Sequence, residues 1–436
     1  MSSGTRCVLV TGAEEHQGLA VVRGLGLAGV DVVACGSSAR SLSFRSRFAV
    51  ECRTYASVSA DPEQFVDDVL AIARATRPAL IVPAVETTLV ALNAARDRVD
   101  AVAPLAAPPP ATLEQALDKA KTVELARRAG VPAPETVTGD TIEQLLARSA
   151  LLRFPVVVKP RGPARHPTTA HTLGFKSRYA ADVGALARLL GPLERDARAL
   201  LVQEYAPGTG RCIAAVAKAG EPVVMFAYAR DRELPLTGGV SVMRRSIAVP
   251  PVAGAYAARL LRATAWTGVA MVEFKYDADA DTYTLMEVNA RFQASTALCL
   301  DAGLNLPLHA ACVFTGWTPP AVTPYRVGVE ERWLRGDVAA LRRALEDPDA
   351  GIGPAMTRRR AIGRFLADFR RGVYYDEVRR DDLGPAFVEG AALGRLLLSW
   401  VADALRGAAR RGLAAVLRGI RHAWGPRGRA TRQGTA

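Results

Sequence analysis

The sequence predicts a chain of mixed α/β and α+β architecture, and three observations carry that expectation. Residues 1–110 alternate short apolar runs with amphipathic stretches, the pattern of a parallel sheet with helices on both faces. Residues 113–320 change to an irregular mixture of strand and helix patterns. From about residue 325 the chain reads as largely helical and ends in an arginine-rich tail. At 436 residues there is room for two to four structural units.

In order, "CVLVTGA" (7–13), "DVVACG" (31–36) and "ALIVPA" (79–84) read as strands, with helix patterns near 17–28, 62–76 and 87–96. "APPPAT" (107–112) reads as a linker. A helix over 114–129 is stopped by Gly130 with Pro132 behind it. Strands follow at 154–160, 199–205, 212–218 and 222–229, then as a pair around 269–289. No internal repeat is present.

Half of the residues are apolar and 23% are charged, which excludes global disorder. No apolar run reaches the length a membrane-spanning helix needs. The N-terminus enters a strand-like run without a signal-peptide pattern, and six scattered cysteines form no Cys-x-x-Cys pair. The expectation is a cytoplasmic protein with reduced thiols and no structural zinc. The net charge of +13 suggests nucleic acid until it is located. Nine arginines against Glu389 and Asp403 give residues 389–436 a net of +7. Only six of the 56 basic residues are lysines, so those that remain favour places needing a compact ammonium.

After the first strand, Gly12 and Gly18 are compatible with a tight strand-to-helix turn or with backbone N–H groups offered to a phosphate. Their spacing is not G-x-G-x-x-G, and no tyrosine lies four residues before any lysine, which argues against a nicotinamide site of the short-chain dehydrogenase kind. Glu86-Thr87-Thr88, after the strand at 79–84, sits where open α/β sheets bind ligands, though a helix N-cap serves equally well.

The strongest constellation is "GVAMVEFKYDADADTYTLMEVNARF" (268–292). A hairpin centred on Ala280 would set Lys275 opposite Leu285 and Glu273 opposite Glu287. Directly opposed carboxylates repel, and strand alternation puts Asn289 on the face of Glu287. Two carboxylates and an amide oxygen, without His or Cys, suit Mg²⁺ or Mn²⁺. Arg291, two residues on, is placed to hold a developing anion. Lys159 ends the run Val156-Val157-Val158, where a snorkelling lysine is the plain alternative. Lys119 fits a solvated helix position, and "LLVQEYAPGTG" (200–210) carries a strand into a Pro-Gly breaker.

Together these residues resemble the ATP-grasp superfamily, in the branch holding biotin carboxylase, carbamoyl-phosphate synthetase and many carboxylate–amine ligases. The resemblance covers about 1–320. It implies a Rossmann-like pre-ATP-grasp domain over 1–110, one lobe over 113–195, a second over 196–320, and a helical extension over 325–436. It further implies that Lys119 and Lys159 contact the phosphates of ATP. Gln203, Glu204, Tyr205 and Ala206 would read the adenine. Glu273, Glu287 and Asn289 would bind two Mg²⁺ (or Mn²⁺) ions, and Arg291 would steady the reacting carboxylate or acyl phosphate. The phosphate lid of such folds would fall at 161–179, here basic and poor in glycine. "LPLTGGVSVMRRSI" (234–247) would line the acceptor side, with Arg244 or Arg245 available to an acidic substrate.

The implied activity is an ATP-dependent ligase joining a small-molecule carboxylate to an amine. A bicarbonate-activating carboxylase or carbamoyl-type enzyme and a non-catalytic nucleotide-binding module are the rivals. In the tail, apolar residues from Leu393 to Trp424 recur at three- and four-residue spacing with arginines mostly opposite. This amphipathic segment (393–424) can pack on the protein's own body or a second subunit as a homodimer, or lie peripherally on the inner membrane surface. Nucleic acid is disfavoured, since no stacking aromatics interleave the arginines.

Overall fold

In the computed structural model, residues 6–162, 175, 177–234, 238–346 and 357–424 are described, the side chains of 404–405 and 407–424 excepted. Fifteen strands appear among them, in three sheets. The first sheet holds β1 (Cys7–Thr11), β2 (Asp31–Gly36), β3 (Ala49–Thr54) and β4 (Leu80–Pro83), all parallel in the order β3-β2-β1-β4. Val8, Leu9, Val10, Val32 and Val33 are buried, as helix-covered parallel strands require. The helices are His16–Leu27, Pro62–Thr76 and Glu86–Ala94, close to the sequence expectation.

The second sheet holds β5 (Thr136–Val137), β6 (Val156–Pro160), β7 (Arg178–Ala180) and β8 (Leu200–Glu204), antiparallel in the order β5-β8-β6-β7. Thus β8 belongs with β6, not with the strands that follow it. The third sheet joins β9 (Thr209–Lys218), β10 (Glu221–Leu234), β11 (Val240–Ile247), β12 (Gly268–Asp277) and β13 (Thr282–Asn289) to β14 (Glu330–Arg332) and β15 (Val373–Tyr375). Its order is β13-β12-β9-β10-β11-β14-β15, so the segment expected to be a helical extension also contributes the last two strands, β15 forming the edge.

One helix differs from expectation in a way that matters. Instead of a single helix over 114–129 there are two, Pro110–Leu117 and Lys119–Arg128, and the first consumes part of the expected linker. Asp118 breaks them with extended backbone (φ −90°, ψ 109°), and its carboxylate accepts hydrogen bonds from the N–H groups of Ala120 and Lys121. Lys119 therefore opens a helix rather than riding along the middle of one.

The chain divides into two compact units, residues 1–386 and 387–436. The second contains most of a 41-residue helix, Gly384–Trp424. Among the described residues, no helix is long and apolar enough to cross a membrane. Most of the expected lid at 161–179, and 235–237 of the expected acceptor segment, lie outside the described residues.

Candidate active site

The acidic hairpin forms, and Glu273 stands directly opposite Glu287. The register reaches that pairing by a different route from a plain hairpin. Lys275 opposes Thr284 and Phe274 opposes Leu285, so the turn is one residue tighter than expected. Met286 is then the extra residue of a β-bulge that brings Glu287 back opposite Glu273. The bulge also lets Leu285 enter the core at 1% exposure while Glu287, two residues on, faces the other way. Asn289 lies beside Glu287, and its Nδ2 donates to Glu287 Oε1 at 2.8 Å.

The two carboxylates are not electrostatically equal. Burial pushes the Glu273 carboxyl up to about 7, and Glu287 adds to the rise against the opposing pull of Arg230. At Glu287 burial acts in the same upward sense. It is outweighed by Lys119, by the Asn289 bond and by Arg230, which together hold the carboxyl below the usual range. The two facing carboxyls thus differ in their affinity for a proton. All the donors are oxygens, so the set fits a hard divalent cation.

Sequence reasoning missed Arg230. Its guanidinium sits 2.5 Å from Glu273 Oε1 and 2.8 Å from Glu233, and it also donates to the carbonyl of Gly239. Glu273 opposes Cys212 on β9, and Cys212 opposes Tyr228, two residues before Arg230 on β10. The contact therefore crosses an intervening strand at a small residue. A Cβ on Gly210 would come within 2.8 Å of the Arg230 side chain, so that glycine leaves the arginine its room. The one signal available in the sequence was an arginine ending the apolar run "VVMFAYA".

Lys159, near the end of β6, extends its ammonium to Gln203 Oε1 at 2.8 Å, and Gln203 Nε2 donates to Thr136 Oγ1 at 2.9 Å. Burial pushes Lys159 down to about 8, with Glu287 pulling upward and Lys119 adding to the fall. Lys159, Lys119, Glu273 and Glu287 thus share one electrostatic neighbourhood. Lys119 is fixed at its base by Arg161, whose carbonyl accepts the Lys119 N–H and whose guanidinium clasps Asp118.

The four hinge residues are brought together at the end of β8 but are not equivalent. The Gln203 side chain is spent on Lys159 and Thr136. The Glu204 carboxylate takes the Arg153 guanidinium and backbone N–H, bonds that outweigh burial and keep its carboxyl low. The N–H groups of Glu204 and Tyr205 go to the carbonyls of Glu135 and Pro155. The N–H of buried Ala206 makes no hydrogen bond among the described residues.

Arg291 lies just past β13, with its Nε 3.9 Å from Glu86 Oε2, so the first sheet reaches the hairpin at the very acid after β4. Arg244 does not serve a substrate. It is fully buried, 2.8 Å from Glu331 and 2.5 Å from Asp376. Arg245 is part-exposed beside Asp231. At the glycine motif, a Cβ on Gly18 would lie 2.1 Å from the Gly12 carbonyl oxygen, and Glu15 stands at the N-cap position of the following helix without a side-chain cap hydrogen bond. The tight turn accounts for both glycines, and Glu14 and Glu15 just before that helix oppose a phosphate.

Opposed carboxylates on a hairpin and the lysines Lys119 and Lys159 thus come together at one site. Residues 196–336 match the family model described as ATP-grasp in the biosynthetic pathway with Ter operon. The chain carries an ATP-grasp domain and folds as an ATP-grasp protein. Similar solved structures include a biotin carboxylase–βγ-ATP complex from Campylobacter jejuni, with TM-score 0.60, 14% identity and 74% of each chain covered. The biotin carboxylase domain dimer of Hydrogenobacter thermophilus 2-oxoglutarate carboxylase, in complex with MgADP, ADP and bicarbonate, matches at TM-score 0.60 and 16% identity over 74% of this chain and 73% of that one. An L-amino acid ligase from Bacillus licheniformis matches at TM-score 0.54 and 16% identity, over 72% of this chain and 75% of that one. Such identities make the likeness one of fold. No curated protein matches the chain in sequence.

Proposed function

We propose that the protein is an ATP-dependent ligase that activates a carboxylate as an acyl phosphate and joins it to an amine. The observation that carries this reading is the direct opposition of Glu273 and Glu287 beside Lys159 and Lys119. A divalent cation bound together with a nucleotide's phosphates would relieve that repulsion. Glu273, Glu287 and the Asn289 amide oxygen would hold two Mg²⁺ (or Mn²⁺) ions, which would offset the charge on the transferring phosphoryl group.

The rest is positioning by this chain's own groups. Lys119 and Lys159 neutralise the phosphates, and the Ala206 N–H meets the adenine edge. A substrate carboxylate oxygen attacks the γ-phosphorus and ADP leaves. Arg291 steadies the acyl phosphate by its fixed charge. An amine nitrogen then forms the bond to the carbonyl carbon, phosphate departs and the nitrogen loses a proton. Glu86, facing Arg291, would draw an ammonium to that side of the cleft. The bicarbonate reading differs only in the acid activated, and the same assay separates the two. Glu287→Gln should abolish ADP formation while leaving the far-UV spectrum and thermal transition in place. Unchanged metal-dependent turnover would overturn the assignment.

A further inference from the structure

Arg230 is a buried cation held against the proposed metal site, and the reaction described above gives it no task. Its side chain is 7% exposed, and all three of its nitrogens face a partner. Nη1 lies 2.5 Å from Glu273 Oε1, Nε lies 2.8 Å from Glu233 Oε1, and Nη2 donates to the Gly239 carbonyl. A planar guanidinium tethered on three sides stays where it is. It occupies one oxygen of Glu273 and leaves Oε2 for a second cation.

The surrounding charges decide how that second cation can arrive. Among the described residues, Glu233, Glu273 and Glu287 are matched by Arg230, Lys119 and Lys159. Lys275 also acts on Glu273, and Arg291 acts on Glu287 while standing 3.9 Å from Glu86. These charges leave no net negative balance, so a divalent ion entering alone would give up its hydration shell for little return. A nucleotide alters that balance, because its phosphates bring negative charge to the lysines and to the ion together. Resting on the function stated above, we propose that Arg230 is a positioning residue for Glu273. It fixes one oxygen of that carboxylate and neutralises it, so that the facing carboxylates take a divalent cation only together with a nucleotide.

The test follows Mn²⁺ by electron paramagnetic resonance as it is titrated into the full chain, alone and with ADP, with protein-free ADP as the blank. The parent should bind Mn²⁺ about tenfold or more tightly with ADP than without. Arg230→Met should tighten nucleotide-free binding about tenfold and so lose most of the dependence on ADP. Arg230→Lys keeps the charge but not the fork, and should retain that dependence. A residue that merely braced the strands would be damaged alike by both substitutions. Glu233→Gln, nearly isosteric, removes an acid that shares Arg230, and should make nucleotide-free binding weaker still, which tests the same charge balance where Arg230→Met does not fold. Equal affinity with and without ADP in the parent would overturn the proposal. So would an unchanged dependence on ADP in folded Arg230→Met, or tighter nucleotide-free binding in Glu233→Gln. Mn²⁺ that fails to bind even with ADP would overturn the metal site itself, on which the proposal rests.

Discussion

Lys159 illustrates what tertiary structure adds to a single residue. Its sequence context, a lysine after three valines, fits snorkelling as well as phosphate binding, and only the fold sets it against Gln203 with its ammonium driven down to about 8 from 10.5. A lysine depressed in this way costs stability while charged. The cost is full below pH 8 and is relieved as the pH climbs toward the unfolded value. On the proposed function ATP needs the charged form, so its affinity should fall as the pH rises through about 8, measured by calorimetric titration between pH 6 and 10. Lys159→Arg keeps a charge but not the point geometry, and should weaken ATP binding about tenfold while flattening that pH profile. A profile that is flat in the parent would dismiss the role. The opposition of Glu273 and Glu287 was legible because acids interrupt an otherwise apolar alternation. Arg230 was not, because its partner lies two strands away and only the register of β9 brings them together.

Among the elements, the parallel sheet and the acidic hairpin could be read from apolar runs and turn residues. The short strands could not. β14 is Glu330-Glu331-Arg332, as polar as any loop, yet Glu331 and Arg332 are fully buried. Arg244 answers the first, and Asp337 with the faces of Phe365 and Phe369 answers the second. Periodicity carries no trace of a strand whose burial is paid in ion pairs. The joint between β8 and β9 is similarly local and exacting. Gly208 has φ +102°, and a Cβ there would stand 2.1 Å from the Tyr276 carbonyl oxygen. Gly208→Ala should lower stability by about 1–3 kcal/mol, read from the urea midpoint. A neutral substitution would mean that the hinge tolerates what this geometry forbids.

Across the residues 1–386 unit, the first helix is tied to the far end of the chain by buried charge. Arg23 donates to Asp382 Oδ2 at 2.8 Å and to the carbonyls of Asp376 and Glu377. Asp382 also takes the Ser46 hydroxyl and the Arg47 N–H. Removing one partner leaves the other charge buried and unanswered, so Asp382→Ala should cost about 3–5 kcal/mol in chemical denaturation. Ties between residues so distant in sequence were invisible from spacing alone, which is why the last strands were read as part of a helical extension.

The central claim, that the opposed carboxylates and their surrounding cations couple ATP cleavage to amide formation, is tested most directly by following ADP release. A panel of carboxylic acids, bicarbonate included, would be offered with and without amines. The account predicts Mg²⁺-dependent ADP release that requires both a carboxylate and an amine, with one amide formed per ADP and neither produced by Glu287→Gln. ADP release driven by bicarbonate alone, or ATP bound without any acid-dependent cleavage, would contradict it.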